Sequence, residues 1–249
     1  MIPILVQLGF TASLIAGLAT GVGALPILFT RDISNRTLGI MLGFSAGVML
    51  AATSFSLLVP SIDLGGIWVA VGGLLIGVIF LVAIEYVIPH FQSKNEESEG
   101  SKRISRIWLF IFAITLHNFP EGIAVGVSFG SSDIATGFLV ATAIGLQNFP
   151  EGLAVALPLV GEGKSRIRAL GYATLTGLIE PVGGLLGAGV VTIFQQLLPW
   201  GLAFAAGAML LVVAGDIIPE SQKNGFARQA VLALIVGFTI MMFLDSVLA

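Results

Sequence analysis

The chain of 249 residues contains no cysteine, only two histidines and only 10% charged residues. Without cysteine there is no disulfide framework, no thiolate metal site and no Cys nucleophile. With His90 and His117 as the sole imidazoles, chemistry that needs a histidine cluster is excluded. Soluble domains carry about 25% charged residues, so a soluble globular fold is excluded as well. The formal net charge of −3 has the wrong sign for a nucleic-acid binder. What is abundant is apolar: 56% of residues are hydrophobic, 32 are glycine, and mean hydropathy is +1.03.

A membrane-spanning helix needs about 20 mostly apolar residues. Runs of that length predict eight spans, at about 4–28, 38–60, 66–88, 107–129, 134–158, 168–190, 200–218 and 229–247. The alternating ten-residue segments of a transmembrane barrel are not visible. The fold expected is an all-α integral membrane protein, with residues 1–249 forming one transmembrane domain. The N-terminal run lacks a basic leader, which argues against a cleaved signal peptide. With both termini outside, all 11 basic residues fall in loops on the same face. The positive-inside rule makes that face cytoplasmic, so both termini are expected to be extracytoplasmic in a plasma (inner) membrane. The polar stretch at about 90–106 is expected to be a flexible cytoplasmic connector. Small-xxx-small spacings such as Gly39/Gly43/Gly47 and Gly122/Gly126/Gly130 suit close helix packing within one chain, and equally a homodimer.

One motif occurs twice. Residues 117–126 read HNFPEGIAVG and residues 147–156 read QNFPEGLAVA, identical at seven of ten positions. One loop separates them, so the copies run in opposite directions through the bilayer. Inverted repeats of this kind usually hold a transporter's site near the midplane. His117 and Glu121 are four residues apart and share a helix face, with Asn118 beside them; Gln147, Asn148 and Glu151 repeat the arrangement. Pro120 and Pro150 cannot donate a backbone hydrogen bond and crowd the carbonyl one turn earlier. Each helix is therefore expected to kink beside its polar cluster.

Glu180, followed by Pro181, adds a third acid in the middle of the sixth span. Three uncompensated carboxylates at that depth would cost roughly 8–10 kcal/mol on an insertion scale. No Lys or Arg lies within a span to pair with them. The compensation must be protons, water or a bound cation. Carboxylates, an imidazole and side-chain amides suit Zn²⁺, Cd²⁺, Fe²⁺ or Mn²⁺. Mg²⁺ and Ca²⁺ prefer oxygen ligands throughout. One or two divalent ions would leave a tolerable net charge. Asn148 is open to two readings, as a ligand or as interhelical hydrogen-bond glue.

With these two motifs and Glu180, the sequence resembles the ZIP family of zinc and iron transporters. The resemblance implies a 3+2+3 arrangement, the first and last three spans being related by inversion around spans four and five. It implies a metal site, mononuclear or binuclear, built from His117, Asn118, Glu121, Gln147, Asn148, Glu151 and Glu180. Met49 stands where members of the family contribute a thioether. Ala52 and Ser56 would line the outer pathway, and Asp63 and Asp245 its external mouth. Glu85, His90 and Asp216 would form the cytoplasmic exit, with Glu220 as a looser candidate. The implied function is uptake of a divalent transition metal, zinc foremost, by alternating access. The metal is cargo, and no resident cofactor is implied. Three positions depart from relatives: Asn148 is an Asp in some, where it bridges two ions; Gly215 is a His in some; and Gln147 is a His in many.

Other functions fit less well. An intramembrane metalloprotease would need a motif such as H-E-x-x-H, which is absent. A di-iron oxidase needs two Glu-x-x-His pairs, which two histidines cannot supply here. A proton-coupled carrier of an organic solute would use the same acids as a relay. A purely structural role leaves the buried acids without a purpose.

Overall fold

The computed structural model describes residues 2–30, 34–87, 99–131 and 134–248, and these are helical throughout apart from short connections. The helices are α1 (Ile2–Ala24), α2 (Pro26–Phe29), α3 (Asn35–Ala51), α4 (Val59–Gly65), α5 (Ile67–Val87), α6 (Glu99–Gly130), α7 (Ile134–Gly161), α8 (Arg166–Gly177), α9 (Glu180–Ile193), α10 (Leu198–Val212), α11 (Ile218–Gln222) and α12 (Ala227–Leu248). Among the described residues, seven helical stretches are long and apolar enough to cross a membrane. The 32-residue α6 is the eighth candidate. It starts at Glu99, whereas the sequence predicts a span from 107 and a flexible connector over 90–106. Glu99–Arg106 carries no proline and a single glycine, so nothing in it stops the helix from running on past the apolar span.

Local chemistry explains the boundaries and irregularities. The hydroxyl of Ser34 accepts from the Thr37 N–H, and that of Ser165 from the Arg168 N–H, so each caps a helix that enters the bundle. Gly66, at φ 78°, turns the chain between α4 and α5. Two spans widen into π turns, Ala52–Leu58 between α3 and α4 and Val213–Ile217 between α10 and α11. Both are closed by i→i−5 bonds, from the Val59 N–H to the Ser54 carbonyl and from the Ile218 N–H to the Val213 carbonyl. Proline follows each, at Pro60 and Pro219. A proline ring presses on the carbonyl four residues back, and a wider turn relieves that pressure. Pro181 acts differently: the sixth span breaks between α8 and α9, at Leu178 and Ile179. By contrast, α6 and α7 run on unbroken through Pro120 and Pro150.

The main helix pairings are α1 with α7 and α9, α3 with α12, α5 with α10, and α6 with α9. They close at glycines, and the closures come in matched sets. A side chain at Gly17 would strike the Gly177 carbonyl, and one at Gly177 would strike the Gly17 carbonyl. Gly47 abuts Leu234 as Gly207 abuts Leu74; Gly77 abuts Phe204 as Gly237 abuts Phe44. In each set the matched residues are 160 positions apart in the chain. The middle helices join the scheme: Gly23 abuts Phe149 as Gly183 abuts Phe119, with the two phenylalanines separated like the repeated motifs. α5 and α12 form the periphery, where apolar side chains such as Ile79 (65% exposed) and Phe243 (62% exposed) face outward. In a bilayer those faces meet lipid rather than water.

Candidate metal centre

The polar residues of the repeated motif all point inward. His117, Asn118 and Glu121 on α6, Gln147, Asn148 and Glu151 on α7, and Glu180 at the start of α9 are each at most 2% exposed. Met49 on α3 is fully buried as well. The helical phase of the motif produces this, since positions 1, 2 and 5 of H/Q-N-F-P-E share a face. The two glycines that end the motifs let that face approach its neighbours. Gly122 lies against the Glu180 carbonyl, and Gly152 against the Thr20 carbonyl. No side chain larger than hydrogen fits at either place.

Amides tie the acids across helices. Gln147 Nε2 donates to Glu121 Oε1 at 2.5 Å, joining α7 to α6. Asn148 Nδ2 donates both to Glu180 Oε1 and to the Ala16 carbonyl, at 2.7 Å each, joining α7 to α9 and α1. Ser45 donates from α3 to the Gln147 carbonyl at 3.3 Å, one turn from Met49. Glu151 lies within coulombic range of both Glu121 and Glu180.

What stays open is mostly oxygen, with the Asn118 Nδ2 also unpartnered. Glu121 Oε2, both oxygens of Glu151, Glu180 Oε2, Asn118 Oδ1, Gln147 Oε1 and Asn148 Oδ1 are buried without a hydrogen-bond partner. Buried polar groups are ordinarily paired, and each exception calls for an explanation such as an ion. No Lys or Arg is buried among the described residues, so no cation of the protein compensates these acids. A hard-to-borderline divalent cation fits the donor set of carboxylate and amide oxygens with one imidazole. Among the described residues no three His, Asp or Glu side chains already close around a single point. The amide bonds of Gln147 and Asn148 hold Glu121 and Glu180 individually by one oxygen each and leave the other oxygen of each carboxylate open.

The pathway candidates divide. Ser56, buried in the π turn of the second span, donates to Asp245 Oδ1 of α12 at 2.5 Å, which brings together two of the residues assigned to the outer route. On the other side Asp216, itself in a π turn, has its Oδ2 3.4 Å from His117 Nε2. Asp63 is exposed on α4. Glu220 is engaged by Lys223 Nζ at 2.5 Å, an exposed pair three residues apart on the surface. His90 and the side chain of Glu85 lie outside the described residues.

Sequence reasoning named Ser56 and passed over the other hydroxyls. Thr20 and Thr53 are buried in this region with unpartnered Oγ1 atoms, and Ser45 holds Gln147. For Thr20 a signal was available: residues 17–25, GLATGVGAL, match residues 177–185, GLIEPVGGL, at five of nine positions, with Thr20 aligned to Glu180. A second signal lies in FSAGVML at 44–50 against FAAGAML at 204–210, which aligns Met49 with Met209.

A family model described as a ZIP zinc transporter matches residues 91–245. The chain is 44% identical to the zinc transporter GufA of Myxococcus xanthus, over 95% of this chain and 97% of that one. It is 43% identical to the zinc transporter ZIPB of Bordetella bronchiseptica, over 92% of this chain and 78% of the relative. With the zinc transporter ZupT of Corynebacterium glutamicum the identity is 38%, covering 93% of this chain and 95% of the relative.

Proposed function

The chain belongs to the ZIP family of zinc transporters, which are membrane transporters and not enzymes, and from that premise we propose that it carries zinc across the membrane through the buried cluster of His117, Glu121, Glu151 and Glu180. The observation that carries this reading is the set of buried, unpartnered carboxylate oxygens with no buried Lys or Arg beside them. A doubly charged ion is the guest that such a cluster accepts. Asn118, Gln147 and Asn148 supply amide oxygens and Met49 a thioether, so the site takes one or two ions. Cadmium, iron(II) and manganese(II) fit the same donors.

The reading extends to architecture. The matched glycine closures, each set displaced by 160 residues, support a 3+2+3 inverted repeat in which spans one to three are exchanged with spans six to eight. Span four then exchanges with span five. The segregation of all basic residues to the loops of one face supports extracytoplasmic termini in a plasma membrane, with flux into the cytoplasm. Two polar contacts on opposite sides of the cluster support alternating access. The Ser56–Asp245 pair closes the outer route between spans two and eight, and Asp216 meets His117 on the inner one. Both contacts are made in this structure, and rocking one helix group against the other would open one of them at a time.

The test is uptake by proteoliposomes that enclose a metal-sensitive dye. Wild-type protein is expected to give slow, saturable zinc flux. Glu121→Ala and Glu151→Ala, still folded and membrane-inserted, are expected to give none. Wild-type flux in folded Glu151→Ala would remove the site from the mechanism.

A further inference from the structure

We propose that Thr20 is a further residue of the metal pathway, whose hydroxyl takes over the ion from Glu151 on the inward side of the cluster; this rests on the transport reading above. The first argument is positional. Gly17 and Gly177 each close on the other's carbonyl, and three residues further along their helices stand Thr20 and Glu180. Gly122, next to Glu121, lies against the Glu180 carbonyl; Gly152, next to Glu151, lies against the Thr20 carbonyl. Thr20 therefore stands to Glu151 as Glu180 stands to Glu121.

The second argument is chemical. A threonine inside an apolar helix ordinarily donates to the carbonyl four residues back. Thr11, Thr115, Thr142, Thr174, Thr192 and Thr239 all do so here. Thr20 is fully buried and makes no such bond. Its acceptor, the Ala16 carbonyl, takes the Asn148 amide instead, and the same amide holds Glu180. The hydroxyl is thus left with its proton and its lone pairs, in the half of the cluster where both oxygens of Glu151 are also unpartnered. The surroundings are tight: a side chain on Gly177 would come within 2.8 Å of Thr20 Oγ1.

The consequence is a gradient in ligand charge. On the outward side the ion meets two carboxylates, Glu121 and Glu180. The matching inward pair is one carboxylate, Glu151, and one neutral hydroxyl, Thr20, with the His117–Asp216 contact also on the inner route. A neutral oxygen holds a divalent ion, or its bound water, less firmly than a carboxylate does. The inward pair is built to pass the ion on rather than to retain it. Thr20 is then a residue of the release step, and its loss affects turnover more than capture.

The experiment measures initial zinc uptake against zinc concentration in dye-loaded proteoliposomes, for wild type, Thr20→Val, Thr20→Ser and Thr20→Glu. Thr20→Val conserves shape and removes the hydroxyl; it is expected to lower turnover about tenfold while leaving KM within about twofold, the size of effect one lost polar contact gives. Thr20→Ser is expected to restore most of the rate. Thr20→Glu is expected to retain more zinc through dialysis and to turn over more slowly. Wild-type turnover in Thr20→Val would overturn the proposal, as would Thr20→Ser performing no better than Thr20→Val. Glu121→Ala run alongside separates the two levels. If it carries zinc at the wild-type rate, the transport site itself is misplaced. If it is inactive while Thr20→Val is normal, only the role of Thr20 falls.

Discussion

Asn148→Asp replaces the amide nitrogen of the side chain by oxygen and reverses its role in the metal-free protein. The amide nitrogen donates two bonds, to Glu180 Oε1 and to the Ala16 carbonyl, both at 2.7 Å. An aspartate offers only acceptors in the same place. A net loss of about 1 kcal/mol for the carbonyl bond and about 2 kcal/mol for the bond to a carboxylate amounts to about 3 kcal/mol. Two carboxylates about 4 Å apart add about 4 kcal/mol of repulsion at an effective dielectric of about 20, less whatever a captured proton relieves. The metal-free protein should therefore lose between about 3 kcal/mol, with the repulsion fully relieved by a proton, and about 7 kcal/mol, with none captured, so at least about 6 °C in melting temperature for a chain of this length. Zinc reverses the sign, because the new carboxylate becomes a ligand. The assay is thermal unfolding in detergent, with chelator and with saturating zinc. Asn148→Asp is expected to melt well below wild type in chelator, and to gain more from zinc than wild type does. Equal melting temperatures in chelator would refute the bridging role of Asn148 between α7, α9 and α1.

Two further outcomes are expected. Carboxylate and imidazole ligands bind metal in their deprotonated forms, so zinc affinity should fall as pH falls from about 7 to about 5.5; calorimetric titration showing no change over that interval would count against these ligands. Gly17→Val drives a branched side chain into the Gly177 carbonyl and should sharply reduce the yield of monodisperse protein, because backbone cannot yield as a side chain can. Gly171→Ala is the control: a methyl group there meets nothing, and yield should be unchanged. Normal yield of Gly17→Val would mean that this helix crossing is not tight.

Much of the site was legible because it is written as a repeated word. HNFPEG and QNFPEG announce themselves, and helical phase alone puts His117, Glu121, Gln147 and Glu151 on inward faces. Outside the short matches of 17–25 with 177–185 and of 44–50 with 204–210, the longer repeat was not legible by eye, since between its copies spacing is conserved and residue type mostly is not. Gly77 and Gly237, or Leu74 and Leu234, match only when the separation is already known. Apolar identity is weakly constrained in lipid, whereas a helix crossing admits only glycine at its closest point. The π turns escaped for another reason. Composition barely changes across them, and the sole cue, a proline four positions past Ser56 and Gly215, also occurs in α6 and α7, which remain regular. The break ahead of Glu180 was marked by Pro181, a cue read for the acid and not for the backbone. The amide clasps of Gln147 and Asn148 depend on side-chain reach across helices, which no one-dimensional pattern contains.

The mutual contact of Gly17 and Gly177 has a mechanical meaning. Under the proposed inverted repeat this contact would map onto itself in a half-turn and so would act as the fulcrum, which travels least when the beam tips. With no side chains there to interlock, bare backbone can roll on bare backbone. In the rocking motion proposed above, Glu180 and Thr20, three residues on from that contact along their two helices, would swing toward opposite sides of the membrane. On that proposal the two arms would differ in charge alone, and this difference would set the direction of passage.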